Sequence, residues 1–291
     1  MHRLSAAIPA AFALMCLASP VPAAEDKTWD REFTVSRQPT IRIESDDAEV
    51  TVRSWKGSRV KVHVEQRGET EGILFGHRRP RVDITQKGQE VIVVARMEGS
   101  TGGIVIRQAH LDVEVWLPRE SNLIVETEDG PLRVEDVAGA IDLDTEDGSV
   151  TARGLSGIIH VHSEDGKIEL DDVDGSLQLE TEDATSVVRG RFDRMDVESE
   201  DGGFRIEALA GSKLQDEWSL RTQDGGIRLS IPRKLAATID ARTQDGSLSV
   251  DLPVQLQGRV RHNQLVGSLN GGGPTLRLRS SDGSIHVTPI D

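Results

Sequence analysis

Nine carboxylates and one imidazole return at a fixed interval of eighteen residues in the middle of the chain: Glu126, Asp144, His162, Glu180 and Glu198, and two places on Glu128, Glu146, Glu164, Glu182 and Glu200. If that interval is one turn of a coil, the ten side chains line an outward strip about 20 Å long at about 4.8 Å per rung. Carboxylates so close repel and raise one another's pKa unless a cation or a basic partner sits among them. Hard oxygen ligands in that number suit Ca²⁺ better than a soft metal. The same acids would also serve as a solvated edge that keeps an exposed sheet from pairing with other chains.

His160 and His162 point to a second chemistry, because alternation places both on the same outward face. One rung away stand Asp142 and Gln178 beside His160, and Asp144 and Glu180 beside His162. Imidazoles among carboxylates can take Zn²⁺ or Cu²⁺. Pairing of His with a carboxylate across rungs explains the same residues without a metal. Further on, Arg221, Arg242 and Arg279 would stack on the face that was acidic earlier, suited to head-to-tail contacts or to an anionic glycan.

Enzyme signatures are missing from the sequence: it has no Gly-x-Ser-x-Gly, no phosphate loop and no catalytic cysteine. Polysaccharide-cleaving enzymes that use paired carboxylates remain an alternative on such a strip. Against it, only 3% of residues are aromatic and there is no Tyr, which leaves few platforms for sugar rings. A divalent-metal-binding periplasmic protein is the other alternative.

The elements that must position these residues show in the repeat itself. The Asp of a recurrent corner, "EDG" or, at Asp183, "EDA", falls at Asp129, Asp147, Asp165, Asp183 and Asp201, continues at Asp224, Asp245 and Asp282, and has an early counterpart at Asp47. A fixed period of this length marks a repeat architecture. Around each corner the apolar residues alternate, as in Ile141/Leu143/Thr145 and then Val150/Ala152. Alternation bounded by Asp-Gly and by a second glycine (Gly139, Gly157, Gly175, Gly211) predicts short strands with one buried face. Asp-Gly alone would favour a meander of hairpins. The outward series Glu135, Arg153, Asp171, Arg189, Glu207 changes sign at each repeat, which is useful only if successive repeats are direct neighbours.

The expected fold is therefore all-β: a parallel β-solenoid of about 18-residue two-strand repeats over 121–291, with an insertion at 252–274, after a less regular β region over 24–120. In each corner the Thr or Ser is expected to point inward and bond to its counterparts on stacked rungs. The Asp is expected to accept turn amides while Gly supplies a positive φ.

Residues 1–23 read as a secretory signal, with Arg3, the apolar run "AAIPAAFALMCLA" and a small-residue cleavage site near Ala23. Cys16, the only cysteine, lies within it, so the mature chain is expected to carry no disulfide. A periplasmic or secreted location follows, and no later stretch has the roughly 20 apolar residues of a membrane helix. Residues 120–207 hold 25 acids and 7 bases. Without Arg3 of the leader the chain holds 33 Lys and Arg against 49 Asp and Glu, a balance that argues against nucleic acid as a partner, since its binding needs a basic footprint.

Four stretches, "FTVSRQPTIRIESDDAEVTVRSWKGSRVKVHVE", "LDVEVWLPRESNLIVETEDGPLRV", the run of "DG" corners and "LNGGGPTLRLRSSDGSIHV", together resemble the bacterial "putative adhesin" family of secreted β-strand-repeat proteins, a domain of unknown function. The resemblance covers nearly all of the mature chain. It implies a stacked β fold outside the cytoplasm, and no catalytic motif to carry over. The resulting expectation is a non-enzymatic binding or scaffold protein of the cell envelope whose partner is a protein or an envelope glycan. The segments "GETEGILFGHRRP", "MEGSTGGIVIRQ" and Leu252 to Pro274 are candidate partner loops, or caps over the open ends of the coil.

Overall fold

The computed structural model describes residues 27–68, 71–75, 78–99, 102–107, 109–256 and 263–290. The leader at 1–23 and Cys16 lie outside them, as do 69–70, 76–77, 100–101 and 108 in the first two candidate loops and 257–262 in the third. Among the described residues the regular elements are all strands, and no helix is long and apolar enough to cross a membrane.

The eighteen-residue period is the spacing between paired strands. In one stack Asn122–Thr127, Ala138–Thr145, Ser156–Ser163 and the second half of Ile168–Thr181 run parallel, with Val125 opposite Leu143, Leu143 opposite Val161 and Val161 opposite Leu179. In the other stack Leu132–Glu135 lies beside Val150–Arg153, and that beside the first half of Ile168–Thr181. Each coil thus gives one strand to each stack. The inward residues of both stacks form one apolar cluster, in which Phe192 meets Trp218 edge to face with ring centroids 6.4 Å apart. The sign-changing outward series does link neighbouring coils: Arg153 lies 3.7 Å from Asp171, Arg189 3.3 Å from Asp171 and 3.5 Å from Glu207, and Arg53 extends the series at 3.1 Å from Glu135.

The sheet is β-solenoid-like but mixed, and so departs from a uniformly parallel coil at both ends. Lys27–Thr34 pairs antiparallel with Arg59–Arg67, which pairs antiparallel with His110–Pro118. Arg79–Lys87 folds back on Glu90–Glu98. At the far end Gln264–Leu269 pairs antiparallel with Ala237–Thr243 and with Val254–Leu256. Antiparallel strands cover both ends of the first stack and the start of the second, edges that a purely parallel coil would leave open, while Leu248–Val250 ends the second stack with Ile285–Ile290 as its one strand partner among the described residues. The described strands of the first two candidate loops, Glu71–Phe75 and Gly102–Arg107, pair with each other.

The coils also do not stack in chain order. Thr275–Ser280 lies between Trp218–Thr222 and Ala237–Thr243, and Ile285–Ile290 lies between Ile227–Pro232 and Leu248–Val250. At the start, Thr40–Ser45 sits between Glu90–Glu98 and Asn122–Thr127. A coil requires only a neighbour with matching inward residues. Leu276, Leu278 and Ser280 offer the same pattern as Ile239, Ala241 and Thr243, so the repeat does not dictate adjacency.

The corners use different chemistry from that expected. The inward hydroxyl, not the Asp, takes the turn amide: Gly148 N–H donates to Thr145 Oγ1 at 3.0 Å, Gly202 to Ser199 Oγ at 2.9 Å and Gly225 to Thr222 Oγ1 at 3.1 Å. The hydroxyls in turn donate to backbone carbonyls, as from Thr145 to Glu128 and from Ser199 to Glu182, rather than to one another. Hydroxyls of adjacent rungs meet instead on the outward face, where Ser230 and Thr288 lie 2.9 Å apart and Ser247 donates to Ser284 at 3.0 Å. Two corners carry alanine in place of glycine: Ala48 N–H still donates to Ser45 Oγ at 3.2 Å, whereas Thr181 Oγ1, in the corner of Ala184, is buried without a hydrogen-bond partner. The corner glycines are not among those with positive φ. They are required by stacking: a Cβ on Gly166 would lie 2.0 Å from the carbonyl oxygen of Gly148, and one on Gly225 2.0 Å from that of Gly202. Positive φ occurs instead at the glycines between corners, Gly139, Gly157, Gly175 and Gly211, with Gly157 at 117°.

Candidate functional site

The repeat places the acidic positions in two columns. Glu126, Asp144, His162, Glu180 and Glu198 stand in register on successive strands of the first stack. Glu128, Glu146, Glu164, Glu182 and Glu200 follow at the corners, where each amide bonds to the coil before it, as Glu146 does to Thr127 and Glu182 to Glu164. The outward side chains of both columns come from strands and turns whose inward neighbours are buried, so their spacing is fixed by the core. His160 takes its expected register between Asp142 and Gln178, and His162 between Asp144 and Glu180. Neither histidine has an ion pair among the described residues, and His162 Nδ1 is buried without a hydrogen-bond partner. Among the described residues no group of three or more His, Cys, Asp or Glu is gathered as metal ligands would be.

The strip is neutralised at its ends and not in its middle. Arg42 Nη1 lies 2.9 Å from Glu126, Arg96 lies 3.5 Å from Asp46, and Arg78 lies 2.9 Å from Asp47. At the other end Arg221 lies 3.7 Å from Glu198. Glu180 accepts a hydrogen bond from Gln178 Nε2 at 2.7 Å. Between these contacts Glu128, Asp144, Glu146, Glu164, Glu182 and Glu200 have no ion pair among the described residues. Burial, and then the charges of Asp46, Glu146, Asp47 and Asp129, push the Glu128 carboxyl above the ordinary carboxylate range.

Past Glu198 the column turns basic. Arg221, Arg279 and Arg242 follow in register, with Arg279 in the middle because its strand is intercalated. Asp240 holds two of them, at 2.5 Å from Arg279 and 3.1 Å from Arg242. Burial alone would raise the Asp240 carboxyl, but the hydrogen bonds and charges of Arg279 and Arg242 bring it below its usual value. The acidic and basic halves line one open groove of about 870 Å³, from His162 past Glu182 and Glu200 to Arg242, with Asn263 and Gln264 at its far end. The corner column continues into it as Gln223, Ser281 and Gln244, neutral where the earlier coils carry Glu.

Sequence reasoning missed Asp240, although its position two residues before Arg242 on one strand face was visible. Arg42 and Arg96 were missed because their partners are set by the order of coils, which the period does not encode.

A family model described as Toastrack DUF4097 matches residues 39–288. No curated protein matches the chain. Similar solved structures include "a putative adhesin" from Bacteroides fragilis NCTC 9343, at 11% identity over 91% of this chain and 97% of that one, with a TM-score of 0.42. Another is "a putative adhesin" from Parabacteroides merdae ATCC 43184, at 10% identity over 91% and 97%, with a TM-score of 0.39. A third is "a putative cell adhesion protein" from Clostridium sporogenes ATCC 15579, at 9% identity over 91% and 100%, with a TM-score of 0.30.

Proposed function

The chain belongs to the Toastrack DUF4097 family, and on that footing we propose that it is an exported, non-enzymatic binding or scaffold protein of the cell envelope. Its acidic strip is the surface that engages a basic partner or cations. One contrast carries this reading. In one outward column of the second stack the charges cancel coil by coil, through Arg53, Glu135, Arg153, Asp171, Arg189 and Glu207. On the acidic strip seven of the nine carboxylates, all but Glu126 and Glu198, have no cation among the described residues.

A surface held in register at strand spacing, with its compensation confined to the two ends, suits a partner that brings its own positive charge. Such a partner would be steered in by the summed field of the strip and released by salt. A coordinated metal is less well served, since the described acids do not converge on one point. The alternative of a carbohydrate-active enzyme would need one pair of carboxylates set apart from the rest, whereas the ladder repeats the same geometry at each coil.

The test is calorimetric titration of the mature protein with poly-lysine, and separately a thermal melt with added Ca²⁺. Poly-lysine should bind at low ionic strength, and Glu146→Gln, Glu164→Gln and Glu182→Gln should weaken it stepwise. An ion at 100 times its Kd would add about 2.7 kcal/mol to stability. If the triple variant binds poly-lysine as the parent does, the strip is not the binding surface. Turnover of a polysaccharide abolished by one substitution would replace this reading with the enzymatic one.

A further inference from the structure

On the outward face of the second stack two arginines lie side by side without a counter-ion. Arg205 and Arg228 are register partners on parallel strands, about 4.8 Å apart along the backbone, and neither has an ion pair or hydrogen bond among the described residues. In the next outward column, that of Glu207, Arg153 and Arg189 are each met by an acid. The position before Arg205 in the same column is Val187, and the position after Arg228 is His286. The nearest carboxylate along the Arg205 strand is Glu207, already engaged by Arg189 at 3.5 Å. In a chain this acidic, an uncompensated cation pair held rigidly by two strands is a site waiting for an anion.

The backbone beside them is opened for it. In the two coils that carry these arginines the corner reads "DGGFR" and "DGGIR", with a second glycine after the first. The first glycine, Gly202 or Gly225, is demanded by stacking, since a Cβ there would lie 2.0 Å from backbone oxygen. The second is not demanded in that way. A Cβ on Gly226 would find its nearest atom, the Ser284 carbonyl oxygen, at an ordinary 3.4 Å, one on Gly203 would find Gly226 at 3.1 Å, and neither residue is among those with positive φ. What the second glycines do is leave space. They floor a groove of about 730 Å³ walled by Arg205, Arg228, His286 and the hydroxyls of Ser247, Ser249 and Ser284. The Ser284 hydroxyl accepts from the Ser247 hydroxyl at 3.0 Å and from its amide at 3.3 Å, which leaves its own proton to donate outward.

We propose that this groove binds the phosphate or sulfate esters of an anionic glycan lying along the coil axis. Guanidinium groups present paired donors that match a tetrahedral oxyanion, and the serine hydroxyls suit sugar oxygens. A glycan fits better than a membrane. The exposed large apolar residues among those described, Ile158 and Leu256, do not line the groove, so nothing there inserts into a bilayer.

The experiment titrates the mature protein with dextran sulfate, with inorganic phosphate and with vesicles containing phosphatidylglycerol. Dextran sulfate should bind, compete with phosphate, and lose at least tenfold in affinity in the Arg205→Gln/Arg228→Gln double variant. Gly226→Val, which fills the groove and keeps both charges, should weaken binding likewise. The ligand-free melting point of the double variant should equal or exceed the parent's, because a repulsive pair has been removed. Absence of binding, or binding that survives both variants and so sits on the Arg221–Arg279–Arg242 column, would overturn the proposal. So would capture of vesicles without dextran sulfate. A double variant that melts several degrees lower would overturn it too, by making the arginines structural.

Discussion

The amide of Gly148 donates to the hydroxyl of Thr145 at 3.0 Å within one corner, and that hydroxyl donates to the Glu128 carbonyl of the neighbouring coil at 3.2 Å. The hydroxyl both closes its own turn and ties two coils, while Asp147 stands exposed beside it. Thr145→Val should therefore cost about 1–3 kcal/mol, the range for buried hydrogen-bonding groups left unpaired. Asp147→Asn, a surface change, should stay within about 0.5 kcal/mol. Urea unfolding of the two variants checks the ordering. A larger loss for Asp147→Asn would return the corner to the carboxylate.

A similar comparison separates the two kinds of corner glycine. Gly166→Ala drives a methyl into the Gly148 carbonyl, whereas Gly226→Ala meets only ordinary contact at 3.4 Å. The first should cost about 1–3 kcal/mol by overpacking, and the second much less. Circular-dichroism melts of both variants decide it. Equal losses would mean that stacking does not explain the first glycine of each "DGG".

How the chain disclosed itself follows from these residues. The alternation of Ile141, Leu143 and Thr145 and the fixed spacing of the corners were enough to place strands, inward faces and the acidic columns, because burial depends on local pattern. The roles of Thr145 and Gly148 were not legible, since capping and close stacking depend on where the next coil lies. Nor was the place of Arg279 between Arg221 and Arg242. Residues with interchangeable inward patterns leave the order of coils undetermined, and only the three-dimensional arrangement puts Asp240 against Arg279.

Acid stability should be governed by groups moved in opposite directions. Glu128 is raised by burial and then by the acids around it, and Asp112 by burial against the pull of Arg67 and His110. Such carboxyls bind their protons more tightly when folded. Their contribution is full below the unfolded pKa and is lost as pH rises through the raised native value. Asp240, held down by Arg279 and Arg242, contributes above its unfolded pKa and loses that as pH falls through its depressed native value. Stability should thus peak at weakly acidic pH. Glu128→Gln should raise stability at neutral pH and flatten the decline on the neutral side. Unfolding free energies measured across pH check this, and a variant less stable than the parent at neutral pH would contradict it.

The intercalated coil makes the C-terminus an internal part of the structure. Thr275–Ser280 bridges Trp218–Thr222 to Ala237–Thr243, and Ile285–Ile290 bridges Ile227–Pro232 to Leu248–Val250. A chain ended after Pro274 would lose more than one coil, because Leu220 and Ala241 would both lose their neighbour, Leu278. Hydrogen exchange should then show lost protection throughout Trp218–Thr222 and Ala237–Thr243, while Asn122–Thr127 and Ala138–Thr145 keep theirs. Asp240→Asn should act on the same seam more mildly, at about 1.5–3 kcal/mol, by releasing hydrogen bonds from two charged partners. Retained protection of Ala237–Thr243 in the shortened chain would mean that this strand can slide into the vacated place beside Trp218–Thr222. The order of coils would then be one of several that the repeat permits.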